Sequence, residues 1–170
     1  LGSVESIQTV FRIVQERVDQ RPVLVVSAHA GVTNSLVALG RGAPNGDVAE
    51  LAVIQDRHRE LIEGLGLPPD MLDELFGEMG DLVRGMKLVS EASPRALDLL
   101  LSFGERCSSR VLAAYCNSRG LEAQQVDSFA AGLRTDSTFG RARPIADDGR
   151  IAKYLEGVSG IPIVTGFLGV

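Results

Sequence analysis

Two short runs of this chain, Val23 to Val26 and Ile161 to Thr165, are apolar almost without interruption and rich in β-branched residues. A strand with one wet face alternates apolar and polar side chains. A run that does not alternate reads as a strand buried on both faces, the pattern of a parallel sheet covered by helices. Glu122 to Val126 reads as a further strand. Long stretches of helical periodicity separate the three. Strands that alternate with helices imply a layered α/β fold around a mainly parallel sheet. The 170 residues suit one domain, or one lobe of a larger one, and no linker, internal repeat or low-complexity tract divides them.

Val4, Ile7, Phe11, Val14 and Val18 recur at helical spacing, so residues 4 to 19 read as an amphipathic helix with Ser3 as its N-cap. After the first strand, a small-residue turn from Ser27 to Gly31 leads into a helix near Thr33. Asp47 and Glu50 have capping-box spacing and open the next helix, whose apolar face runs Leu51, Ile54, Leu61 and Leu65, with His58 on the same stripe. Beyond Pro68-Pro69, Met71, Leu72, Leu75, Phe76, Met79, Leu82, Val83 and Met86 form another stripe. These two helices read as a helical insertion over about residues 47 to 90, and they carry no recognisable chemistry. Ser93 and Pro94 are an N-cap and a first-turn proline. Their helix runs to about Arg119, where Gly120 stops it, and its core stripe is Leu99, Phe103, Cys107 and Val111. A polar loop to about Ile145 and a short helix to Glu156 precede the last strand.

Apolar residues make up 45% of the chain and the formal net charge is −5, enough for a packed core and without the basic excess that nucleic acid or an anionic membrane requires. No apolar run approaches the ~18 residues of a spanning helix, and no signal peptide opens the chain. Cys107 and Cys116 lie nine apart in one predicted helix and face different directions, so they do not bridge. They read as small buried hydrophobes, and the protein as a cytoplasmic one.

Chemistry concentrates between Ser102 and Pro144. Glu105 lies off the core stripe of its helix, with Gly104 and Ser108 as small neighbours. A carboxylate in an apolar helix is costly unless a cation meets it. The ammonium of a small amino acid is one such cation; solvent, Arg106 or Arg110 are the alternatives. At Ser27 to Gly31, a strand end runs into a helix start whose free N–H groups and dipole suit a carboxylate or phosphate. Thr33 adds a hydroxyl there, unless it serves only as an N-cap and Gly31 only as a turn. Leu133-Arg134-Thr135-Asp136 puts a base, a hydroxyl and an acid in one loop, where Arg134 can pair with a ligand carboxylate or with Asp136. Gly166 and Gly169 flank Phe167 just past a strand end, where glycines admit close backbone approach. His58 reads as a hydrogen-bonded core histidine. No Cys/His cluster has metal-ligand spacing, and neither a P-loop nor a Gly-x-Gly-x-x-Gly follows a strand.

Three segments, VLVVSAHAGVTN (residues 23 to 34), SFGERCSSRVLAAYCNSRGLEAQQVDSFAAGLRTDSTFGRARP (102 to 144) and IPIVTGFLG (161 to 169), occur in an order that resembles the aspartate kinases of the amino-acid-kinase superfamily. The opening LGSVESI resembles the residues directly after that family's Lys-Phe-Gly-Gly-Thr-Ser segment. That segment, the family's later Gly-Gly-Ser-Asp segment and its regulatory ACT domains are not in the sequence. The resemblance implies a carbamate-kinase-like αβα fold, here an incomplete amino-acid-binding N-lobe spanning residues 1 to 170. It implies that Ser27 and Thr33 contact the amino-acid substrate and that Glu105 binds its α-ammonium group. Arg134, Thr135 and Asp136 would close the site and Phe167 would line it. The implied reaction transfers the γ-phosphoryl of ATP, with Mg2+, to the side-chain carboxylate of L-aspartate, a group already ionised at neutral pH. A histidine base has no proton to remove there, so the resemblance implies that His29 is a tolerated loop substitution. The family's catalytic lysine has no counterpart: Lys87 and Lys153 are the only lysines, and neither lies in a Gly-rich loop after a strand. The expectation is therefore a fragment that binds no ATP or Mg2+ alone, shows no kinase activity, and belongs to a parent that is a homo-oligomer or bound to a regulatory subunit. A glutamate or acetylglutamate kinase fits SFGER and the RTD-x-x-FG-x-A pattern less well. A parent fused to homoserine dehydrogenase, a non-catalytic lobe and an unrelated α/β binding domain are the remaining alternatives.

Overall fold

The computed structural model describes residues 1–146 and 148–166. In chain order the elements are α1 (Val4–Gln15), β1 (Leu24–Val26), α2 (Val32–Gly42), α3 (Ala49–Leu65), α4 (Asp73–Val89), α5 (Pro94–Ser118), β2 (Ala123–Val126), α6 (Arg150–Glu156) and β3 (Ile161–Thr165). The three strands form one parallel sheet in the order β1-β3-β2. Leu24 pairs with Ile163 and Val126 with Val164, so all three strands point their carboxyl ends to the same edge.

β3 lies in the middle and is buried at all five positions. Pro162 is tolerated there because alternate residues of a parallel strand bond to opposite neighbours. Ile161 donates to Glu122 O on the β2 side, while β1 begins to pair only at Ile163, so no ladder bond is lost at the proline. One face of the sheet (Leu24, Val26, Ile161, Ile163 and Ala123) joins the main core. The other places Val126 and Val164 against Ala131, Leu155 and Val158.

The 25-residue α5 is the axis of the molecule and touches α2, α3, α4 and all three strands. Ser93 caps it by accepting from Ala96 N. Past its end, Gly120 at φ +78° turns the chain, and the Asn117 side chain bonds both the N–H and the C=O of Ala123, fixing where β2 starts. α1 lies on the same side of the sheet, with Phe11 edge-on to Tyr115 of α5 at 5.6 Å. Cys107 and Cys116 are free and buried; burial pushes their thiols up to about 12 and about 11, so both are inert hydrophobes. No helix among the described residues is long and apolar enough to cross a membrane.

Several sequence expectations shift. The first helix ends at Gln15 rather than near residue 19, and Val18 sits exposed in a 3-10 turn. Pro22 disfavours helical backbone at Arg21, so the chain leaves the helix before it. Ser3 does cap α1, with Ser6 completing a reciprocal pair. The Asp47–Glu50 capping box does not form: α3 begins at Ala49 after Val48, and Asp47 only accepts from Ala49 N at 3.3 Å. Leu99 is 49% exposed, and Leu100 takes its place in the core stripe ahead of Phe103, Cys107 and Val111. β1 is not buried on both faces, because Val25 is 70% exposed at the edge of the sheet, beyond the reach of α6.

Candidate functional site

β1 ends at Val26, and the loop Ser27 to Gly31 passes over the middle of α5. Gly104 makes that approach possible: a Cβ there would lie 2.7 Å from Ala28 Cβ and 3.3 Å from Leu36 Cδ1. The small residue therefore serves close approach of loop and helix. Two α5 side chains then hold the loop. Ser108 Oγ donates to Ser27 O at 2.7 Å, and Glu105 Oε1 accepts from Ala28 N at 3.3 Å.

Glu105 is 8% exposed, and burial raises its pKa above the ordinary carboxylate value. Neither neighbouring arginine neutralises it. Arg106 turns away to Glu78 at 2.8 Å and stacks over Phe103, and Arg110 faces Asp127 at 3.7 Å. Among the described residues no cation pairs with Glu105. The solvated and ion-paired alternatives for this residue therefore both fail, and what remains is a buried acid at the carboxyl edge of the sheet.

The loop that Glu105 holds runs into the start of α2. Gly31 is the N-cap at φ +86°, a conformation that glycine adopts without strain, and no side chain caps the helix. Val32 N donates to His29 O and Ser35 N to Gly31 O, while the amides of Thr33 and Asn34 find no partner among the described residues. Thr33 is thus not the N-cap. It is exposed in the first turn, beside unpaired amides and the positive end of the helix dipole.

The third candidate segment is a small hairpin. Thr135 bridges Pro144, Asp136 N donates to Arg143 O, and Ile145 N donates to Arg134 O. Asp136 does not pair with Arg134: its carboxylate accepts from Thr138 N and Arg143 N, bonds that hold its pKa below the usual value. Arg134 is exposed and has no ion-pair partner among the described residues; beside it runs a groove of about 100 Å3 shared with Ile145 and Arg150. The hairpin leaves from the end of β2, at the same sheet edge as the 27–31 loop. Its tip is tied to α5 where Gly140 N donates to Asp98 at 2.7 Å, seven residues and two turns before Glu105 on the same helix face. A wider, open depression of about 370 Å3 lies at the start of α6, lined by Asp148, Gly149, Arg150 and Lys153, away from Glu105.

Gly166 follows β3 and donates its N–H to Val26 O at 2.8 Å, and a Cβ on it would meet that oxygen at 3.0 Å. Phe167 and Gly169 lie outside the described residues. Sequence reasoning passed over Asp98, the Ser108–Ser27 bond and the burial of His29, which is 1% exposed and bonded through Nδ1 to Leu1 O at 2.9 Å. Only a serine at i+3 from Glu105 hinted at the second of these.

Three comparisons bear on this geometry. Residues 1–170 match the model of the amino acid kinase family. Aspartokinase 1 of Arabidopsis thaliana, a chloroplastic protein, is 31% identical over 180 residues, covering 99% of this chain and 32% of the relative. Lysine-sensitive aspartokinase 3 of Escherichia coli is 31% identical over 156 residues, covering 86% of this chain and 34% of the relative. The chain thus spans about a third of the length of the curated relatives it matches. The crystal structure of E. coli aspartokinase III with aspartate and ADP, in its R-state, superposes with a TM-score of 0.82 at 29% identity, covering 99% of this chain and 38% of that one. The T-state structure of that enzyme, with lysine and aspartate, gives 0.76.

Proposed function

The chain belongs to the amino acid kinase family, and from that premise we propose that it is the aspartate-binding part of an aspartate kinase, an enzyme that phosphorylates the side-chain carboxylate of L-aspartate at the expense of ATP to give 4-phospho-L-aspartate. That product opens the route to lysine, threonine and methionine. The observation that carries the reading is Glu105: a buried carboxylate with a raised pKa, one backbone donor and no cation of its own. An α-ammonium group supplies the missing cation and opposes the effect of burial on its pKa. The unpaired amides of α2, with Thr33 and Ser27, suit a carboxylate of the same ligand, and Arg134 suits the other.

In this reaction the acceptor is already an anion, so the protein has to orient it and exclude water rather than remove a proton. This chain supplies the acceptor side. Among the described residues no group of three or more His, Cys, Asp or Glu side chains is placed to hold a metal ion, and neither lysine lies in a loop that cradles phosphate. No step through magnesium or nucleotide is assigned to these residues; both belong to the proposed parent, an oligomer or a protein with a regulatory subunit.

The test is a titration of the 15N-labelled chain with L-aspartate, followed at the amides of Ala28, Thr33 and Glu105. Weak, saturable shifts are expected, absent with succinate, which has both carboxylates and no ammonium. Succinate binding as well as aspartate, or a Glu105→Gln variant binding unchanged, overturns the reading. L-Glutamate in place of aspartate separates the related kinases.

A further inference from the structure

We propose that His29 and His58 form a neutral imidazole pin that holds the 27–31 loop in its ligand-binding shape, which makes His29 a positioning residue for the amino-acid site and the loop sensitive to protonation. The inference rests on the reading of that loop as part of the substrate site.

His29 is 1% exposed and His58, on α3, is fully buried. Their rings meet edge-to-face at 5.3 Å, and the His58 ring in turn meets Phe76 of α4 at 6.0 Å. A file of three rings thus ties the loop to two helices. The tautomers are set by the partners. A carbonyl oxygen only accepts, so the Nδ1 atoms 2.9 Å from Leu1 O and 2.7 Å from Ile54 O both carry the proton. Each neutral ring then has a bare Nε2, and both Nε2 atoms are buried without a partner.

Among the described residues no carboxylate bonds either ring. From α3 the pair faces the Arg57 guanidinium, whose charge acts on both rings. From α4 it meets the apolar Phe76 ring, which has Arg59 above it at 5.6 Å. From α5 Glu105 reaches the loop at Ala28 N and not at the imidazoles. Burial first, then the His58 ring and Arg57, lower His29 to about 4, and burial and Arg57 lower His58. Protonation of either ring places a charge beside the other ring and within the field of Arg57, and the pin opens. Leu1 O also accepts from Ala30 N, so the stretch that pin and carbonyl hold together runs straight into Gly31 and the open amides of α2.

The experiment is an imidazole 1H–15N correlation on the chain between about pH 7.5 and about pH 4, with the amides of residues 27–33 and aspartate affinity followed in parallel. Expected are Nδ1–H tautomers for both rings, a His29 midpoint well below the ordinary value, loop amides that move with it, and an approximately ten-fold loss of affinity across the same step. His58→Phe keeps the ring file and removes the second titrating group, so it raises the His29 midpoint and carries the loop transition with it. If that variant does not fold, His29→Met takes its place and must abolish the step in the loop amides. An ordinary His29 midpoint, an Nε2–H tautomer, or loop amides that ignore the titration overturns the pin. Aspartate that binds equally across the range overturns it while leaving the proposed function standing. Loop amides that follow His29 with no aspartate binding at any pH leave the pin standing and remove the function.

Discussion

Glu105 is held inside the protein with one amide N–H for company, at a cost that a ligand ammonium removes. Its folded pKa lies above its unfolded one, so the stability it permits is complete below the ordinary carboxylate value and is lost as pH rises through the raised one. Denaturant melts of Glu105→Gln should lack that loss on raising the pH, while aspartate affinity drops by roughly ten-fold or more. His29 has the opposite sign. Its folded pKa of about 4 lies below 6.5, so its contribution is complete above 6.5 and fades as pH falls toward 4. Removing the two groups should therefore change the slope of the pH–stability curve with opposite signs. Gly104→Ala puts a methyl 2.7 Å from Ala28 Cβ; an unfolding free energy lower by about 1–3 kcal/mol is expected, with displaced loop amides in the spectrum.

At the scale of the element, α5 decides most. Its second half is buried nearly all round, from Ser102 to Cys116, while its first turns keep one face wet. Leu100 and Leu99 are neighbours with opposite fates, fully buried and 49% exposed. Leu100→Ala should cost about 2–5 kcal/mol and Leu99→Ala well under half of that in parallel melts; equal losses would mean that the helix is rotated from the position described. Helical spacing alone does not separate the two, because a stripe through Leu99 and one through Leu100 both reach Phe103, Cys107 and Val111 within one helical turn's tolerance. The start of α3 behaves in the same way: Asp47 and Glu50 have the right spacing for a box, but the helix starts at Ala49, one residue later than a box at Asp47 requires.

At the scale of the molecule, the sheet is covered unevenly. On the α6 side Val164 is buried, but its neighbour Val25 is 70% exposed and Val23, on the same face of β1, is 46% exposed. An apolar edge strand of this kind favours self-association. Val25→Lys should lower concentration-dependent association in sedimentation runs and leave the melting temperature nearly unchanged, since little is packed there to lose. The α/β class, the three strands, the long Ser93-capped helix and the Glu105 neighbourhood were all legible in the sequence, because they depend on local periodicity, capping chemistry and residue size. Gly104 was legible as a small neighbour of Glu105, though not that the 27–31 loop would fill the space beside it. Only the tertiary structure decided that Arg106 and Arg110 turn away from Glu105, that Asp136 closes its own hairpin instead of pairing with Arg134, and that His29 is a buried partner of His58 rather than a loose loop residue. Each of those outcomes depends on which of several competing partners lies within about 3 Å, and that distance is fixed by the packing of distant segments, which no local pattern encodes.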